Sequence, residues 1–336
     1  MNIRANNENK RFGRDLMNSA EARNGLPMTN YGGRKGMSSA IQADSKVINF
    51  DLFRQERRSG SLCIADQKAA HDLIVHSIAS LKCTQQGADP GRTALAFSAL
   101  RNLAKTIKTN FGTETEEAGG THDIFDVDLN HPRCQHAIPL QGLGQGNGQA
   151  SASYTIVTAL AYNMLSKQGY IATFTMSTCG KKVSFYGTVF VDDDDGVITA
   201  NFDDSMEEIS ERSHKVLVAK EAEMRSLGQT FQLDEMGCYL ISFYFDKAKP
   251  FYLPAEPELA FTIKYAQGNI KMVKMIDPQT AQEVLVIRIA PGGNNTEQIK
   301  VLQLKASEWA TRSRQNHLPI SGSIRYYTTT IKKLMV

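Results

Sequence analysis

Near the middle of the chain, Gly142-Leu143-Gly144-Gln145-Gly146-Asn147-Gly148 places four glycines in seven residues. Backbone this permissive does not sustain a helix or a strand, so the elements on either side must be separate. The short apolar run Ala137–Leu140 leads in, and an amphipathic pattern over 153–167 leads out. Strand, glycine loop and helix N-terminus in that order can present N–H groups to an anion. The two strong nucleotide motifs are absent. Asn147 stands where a dinucleotide fingerprint needs its third glycine, and Gln149-Ala150-Ser151 lacks the lysine of a P-loop. The loop therefore reads as a hinge, or as a place where Gly142, Gly144, Gly146 and Gly148 let backbone approach a phosphate, with Ser151 or Ser153 capping the helix.

Before the hinge, residues 1–48 are rich in Asn, Arg, Gly and Ser without sustained periodicity, and predict a flexible, disordered basic arm. Residues 49–141 predict an α-rich region. Val47–Phe53 reads as a first strand. Helices are expected over 66–81, with Asp66 as N-cap, and over 93–108. From Gly112 to Pro139 the chain reads as loop. After the hinge, 149–336 predicts an α+β region dominated by antiparallel strands. Within it Asp192–Asp195 and Gly196 suggest a solvated hairpin tip, and Ser205 with Glu208 a capping box for a helix over 206–227. Strands are expected over 239–245, 261–265, 270–276, 284–289 and 299–304. The fold class is thus α+β, with a helical first half and a mostly antiparallel β second half.

Charge is unevenly spread. Residues 1–58 carry 11 Lys/Arg against 6 Asp/Glu, and residues 290–336 carry 7 against 2. With a formal net charge of +3 overall, the stretch between them is acidic. Basic ends on an acidic body suit contact with nucleic acid or an acidic partner. The polar start, Met1–Arg14, has no apolar core of a Sec-type signal, and no run is long enough to span a bilayer. The expectation is a cytoplasmic protein without membrane contact, acting in a host cytoplasm or virion if viral. Five cysteines without a CxxC pair argue against a disulfide framework or a thiolate zinc site.

No catalytic set stands out. His122, His131, Cys134 and His136 sit among acids, but their spacing matches no established zinc motif. Neither a metal nor a cofactor is expected. The nucleic-acid-binding residues predicted from charge and aromatic interleaving are Arg34, Lys35, Lys264, Lys271, Lys274, Arg312, Arg314, Arg325, Tyr326 and Lys332. The leading expectation is a non-enzymatic component of a viral, plasmid or defence nucleoprotein that binds single-stranded nucleic acid and self-associates. The alternatives are a virion or assembly protein, and a secreted bacterial effector enzyme.

Overall fold

The computed structural model describes residues 3–67, 71, 74–101, 104–109, 112–117, 143, 147–201, 204–232, 236–246, 249–252, 257–264, 270–284 and 287–315. In chain order its elements begin with α1 (Ile3–Ala22), α2 (Ser39–Glu56), β1 (Gly60–Ala65), α3 (His76–Gln85) and α4 (Pro90–Arg101). The hairpin β2 (Ala104–Thr109) and β3 (Gly112–Glu117) follows, then α5 (Ala150–Lys167). Next come β4 (Ala172–Thr175), β5 (Lys182–Phe185), β6 (Gly187–Phe190), β7 (Asp193–Thr199) and α6 (Met206–Ser226). The chain continues through β8 (Gly237–Ile241), β9 (Phe243–Asp246), β10 (Lys249–Tyr252), β11 (Phe261–Lys264) and β12 (Ile270–Met275). It ends with β13 (Gln282–Val284), β14 (Ile287–Ile289) and α7 (Thr296–Gln315). The fold is mixed α and β with a mostly antiparallel sheet. It divides into two compact units, 1–36 with 67–168 and 219–231, and 37–66 with 169–218 and 232–336.

The first unit is largely helical. Residues 1–48 were expected as a flexible arm, yet they contain α1 and the start of α2. The reason is a stripe that composition conceals. Phe12, Leu16, Met17 and Ala20 recur at helical spacing and are buried, and α1 packs on α5. The join is close. Asn6 Oδ1 accepts the Gly148 N–H at 2.8 Å, and Asn9 Nδ2 donates to Asn147 Oδ1 at 2.8 Å. A Cβ on Gly148 would lie 2.7 Å from both the Asn6 carbonyl oxygen and the Lys10 nitrogen. Gly148 is thus required by close packing against α1, where the sequence suggests a hinge or an approach to phosphate. Helix α5 starts earlier than the serines imply: Gln149 is its N-cap residue and makes no side-chain cap. It ends as expected, with Gly169 left-handed at φ 87°. The predicted helix over 93–108 is shorter. Pro90 sits in its first turn, Asp89 Oδ1 accepts the Arg92 N–H at 2.8 Å, and β-branched residues past Arg101 turn to the hairpin β2–β3.

The second unit holds the six-stranded sheet, ordered β11-β12-β8-β1-β7-β6. All its neighbours are antiparallel except β12 and β8. Successive residues of β1 face opposite sides. Leu62 joins Phe50, Phe53, Phe174, Val197, Tyr239 and Ile241 in a buried core, with Phe53 edge-on to Phe174 at 5.1 Å. Ser61, on the other side, meets Ser213 of α6 through hydroxyls 2.6 Å apart.

Three expectations change here. Val47–Phe53 is part of α2, not a strand. The buried stripe of α2 includes Gln42, Lys46 and Asn49, while Val47 and Ile48 are exposed, so hydrophobicity alone hides the helical period. Asp66 caps no helix. It follows β1 directly, its carbonyl accepts the Gln232 N–H at 2.8 Å, and α3 begins only at His76. Residues 299–304 lie within α7, which Asn294 Oδ1 caps at Thr296 N (3.1 Å), with Glu297 early and Arg312 and Arg314 late. The predicted capping box is present: Ser205 N donates to Glu208 Oε2 at 2.7 Å, and Glu208 N donates to Ser205 Oγ at 3.3 Å. Among the described residues, no helix is long and apolar enough to cross a membrane.

The close join between α1 and α5 is testable. Gly148→Ala forces backbone of α1 to give way, and is expected to cost about 1–3 kcal/mol in urea unfolding. An unchanged midpoint would mean that α1 does not lie against Gly148.

Candidate functional site

An acidic cluster sits on β7 and the turn before it. Asp192–Asp195 were expected at a solvated hairpin tip with Gly196 as the turn glycine. The register corrects this. Phe190 pairs with Asp193, Thr188 with Asp195 and Gly187 with Gly196, so the connection is only Val191-Asp192. Gly196 lies inside the strand, opposite Cys63. Asp194 and Asp195 are 2% and 1% exposed. The acids become strand because apolar residues flank them on both sides, and burying the hydrophobic pairs draws the intervening residues into the ladder.

The turn itself is strained. Val191 adopts φ 59°, in a two-residue connection whose first position usually needs glycine. A β-branched residue there costs on the order of 1–3 kcal/mol. Such strain persists only where the surroundings hold it, and it commonly marks functional turns.

Helix α2 supplies that hold. Lys46 forms an ion pair with Asp195, and both side chains are almost fully buried. One turn earlier, Gln42 Nε2 donates to the Asp193 carbonyl at 3.4 Å. Thr188 Oγ1 donates weakly to Asp195 Oδ2 at 3.5 Å. Burial pushes the Asp193 carboxyl up to about 6, helped by the charges of Asp192, Asp195 and Asp194 and opposed by Lys46. Tyr186, beside Asp194 and Gly196, is driven well above the usual phenol range, first by burial and then by Asp194.

A further acid, Asp66, follows β1 directly. The last register pair between β1 and β7 is Ala65 with Asp194. Beyond that pair lie Asp66 on one side and Asp193, the strained turn and Asp192 on the other. Asp66, Asp192 and Asp193 thus lie at the same end of β1 and β7. Among the described residues no three His, Cys, Asp or Glu side chains already converge on one metal-sized point. Carboxylates in such a place suit oxygen-seeking cations such as magnesium, whose binding would draw them together.

The predicted nucleic-acid-binding residues are dispersed. Arg34 is engaged internally: Nε and Nη2 donate to the two Glu21 oxygens at 2.5 and 2.8 Å, and Nη1 to the carbonyls of Pro27 and Asn30 at 2.9 and 3.0 Å. Lys35 is exposed. Lys264 and Lys274 are exposed on one face of β11–β12, with Ile270 and Met272 of that face at 66% and 61% exposure. Lys271 is opposite Ile263 and turns to the other face, so the three lysines do not make one surface. Arg312 and Arg314 are exposed in the last turn of α7. Arg325, Tyr326, Lys332, Gly142, Gly144, Gly146 and the 122–136 histidine group lie outside the described residues. Sequence reasoning missed Asp66 and Lys46. The available signal was an acid ending an apolar strand, and a second acidic run enclosed by Val189-Phe190-Val191 and Val197-Ile198.

No family model matches the chain, and no curated protein does. Solved telomerase structures are similar to it at low level. Apo telomerase from Candida tropicalis, truncated from its C-terminal domain, shares 10% identity with a TM-score of 0.39, over 77% of this chain and 44% of that one. Telomerase from Candida albicans, bound to a fragment of telomeric RNA, shares 12% identity with a TM-score of 0.37, over 76% and 36%. This chain spans less than half the length of either.

Two outcomes follow from the cluster's electrostatics. Lys46→Met alone strands a buried carboxylate and is expected to cost about 3–5 kcal/mol, most of which Lys46→Met with Asp195→Leu recovers in urea unfolding. For Asp193 the folded state binds its proton more tightly than the unfolded chain, so ionisation lowers stability as pH rises toward and past about 6. Asp193→Asn should therefore raise the melting temperature at pH 7.5, with the gain disappearing as pH falls to 4. A pH-independent gain would contradict this.

Proposed function

We propose that this chain acts on polynucleotides by nucleotidyl transfer, with Asp66, Asp192 and Asp193 as ligands of divalent metal ions. One observation supports it most: the β1/β7 register runs out at Ala65 with Asp194, so Asp66 follows β1 at the same end of the sheet as Asp193 and the two-residue turn, whose Val191 is held in a left-handed conformation. Acids at the ends of two strands and in the turn offer the hard oxygen ligands that magnesium takes from protein. Bound there, metal ions supply charge stabilisation for the attacking and leaving oxygens of an in-line displacement at phosphorus.

The chain's own groups account for the remaining requirements. Lys46 neutralises Asp195, which leaves the acids nearer the turn as the ligands. Gln42 fixes the backbone at Asp193. Exposed Lys35, Lys264, Lys274, Arg312 and Arg314 are suited to backbone phosphates, which position a polynucleotide without reading its sequence. Ile270 and Met272, exposed between Lys264 and Lys274, add apolar surface for unpaired bases.

A second reading keeps only the basic residues. The chain is then a non-enzymatic nucleic-acid-binding component of a nucleoprotein assembly. Extension of a labelled primer on RNA and DNA templates, with magnesium or manganese, separates the two. The first reading expects nucleotide incorporation that falls by at least about two orders of magnitude in Asp66→Asn and Asp193→Asn while binding persists. Salt-dependent binding without incorporation or metal uptake leaves the second. Under both, Lys264→Ala with Lys274→Ala lowers the salt slope of binding by about 2. Binding without a salt slope would sink both.

A further inference from the structure

Cys63 and Cys238 are direct partners across β1 and β8. Both are fully buried free thiols, and their sulfurs are 3.4 Å apart, in van der Waals contact. Residues directly opposite in antiparallel strands have Cα atoms about 4.5–5.5 Å apart. A disulfide spans about 4.4–6.8 Å between Cα atoms. Closing the remaining gap to a bond of about 2.05 Å therefore needs side-chain rotation, with the strands left where they are. The hydrogen bond with Cys63 holds the Cys238 thiol well above its usual range, and burial adds to this. That keeps the pair protonated and slows its reaction with mild oxidants.

We propose that Cys63 and Cys238 form a site of reversible oxidation, closing to a cross-strand disulfide under peroxide. The proposal is independent of the metal-site reading. In the first step one thiolate sulfur attacks a peroxide oxygen. The O–O bond breaks, giving a sulfenic acid and a hydroxide that takes up the thiol's proton as water. In the second step the neighbouring sulfur attacks the sulfenic sulfur. The S–O bond breaks, the S–S bond forms, and the departing hydroxide takes the second thiol proton. Two thiols are oxidised, and one hydrogen peroxide becomes two waters. Contact between the sulfurs makes the second step intramolecular, so it outpaces further oxidation of the sulfenic acid. Larger disulfides such as oxidised glutathione cannot reach sulfurs this buried. The cross-link would tie β1, which leads directly into Asp66, to β8.

Hydrogen peroxide treatment of the folded chain tests this, followed by blocking of free thiols with N-ethylmaleimide and peptide mapping without reduction. The expected product is a Cys63–Cys238 linked peptide pair, 2 Da lighter than the two thiol peptides together. Dithiothreitol should reverse it, and oxidised glutathione should leave no adduct at either position. Recovery of both residues as blocked thiols, or separately as sulfinic acids, in protein still folded by circular dichroism would overturn it. Cys63→Ala should abolish the reversible 2 Da species. Its persistence in that variant would assign the oxidation to other cysteines and overturn the proposal too.

Discussion

The buried ion pair between Lys46 and Asp195 is the interaction on which the acidic end of the sheet depends. Two charges withdrawn from water are tolerated only because each neutralises the other. Their partnership decides more than local energy. Lys46 lies on the buried stripe of α2 with Gln42, Asn49 and the core residues Phe50 and Phe53, so the pair joins that face of the helix to the sheet. It also sets the strand register, since a slip by one residue would move Asp195 to the opposite face and leave Lys46 alone.

With that register set, the turn is no longer free. Only Val191 and Asp192 remain to connect β6 and β7, and Val191 takes a conformation that suits glycine better. Gly187 makes the pairing possible, since a Cβ there would lie 1.7 Å from the Asp195 carbonyl oxygen. The same register leaves Asp193 partly buried among like charges, at the end of the sheet where Asp66 follows β1. Mutual repulsion among these acids is an unfavourable term that a divalent cation would remove. The cluster's electrostatic cost and its proposed chemistry therefore have one origin.

Features legible in the chain are those whose physics is local. The Ser205/Glu208 capping box needs only residues three apart, and Gly169 needs only its own backbone freedom. The hairpin β11–β12 follows from alternation over a few residues. The first helix was obscured because Asn and Arg dominate its composition, although Phe12, Leu16, Met17 and Ala20 carry its buried face. Likewise α2 buries polar residues, so a rule that looks for apolar periodicity finds Val47–Phe53 and takes it for a strand. Of the site, Asp192 and Asp193 were visible as acids. Asp66, proposed to act with them, lies more than 120 residues away in sequence and comes to the same end of the sheet only through strand pairing.

By itself, the sequence determined the mixed α and β class, the basic ends, the Ser205/Glu208 capping box and the helix stop at Gly169. Each follows from side-chain charge, backbone freedom or spacing within a few residues. The tertiary structure alone decided what fills the space at Gly148, which acids are buried, and which face each lysine of β11–β12 takes. Those depend on long-range pairing. The free energy of a buried carboxylate is set by the lysine opposite it, and no window of neighbouring residues contains that lysine.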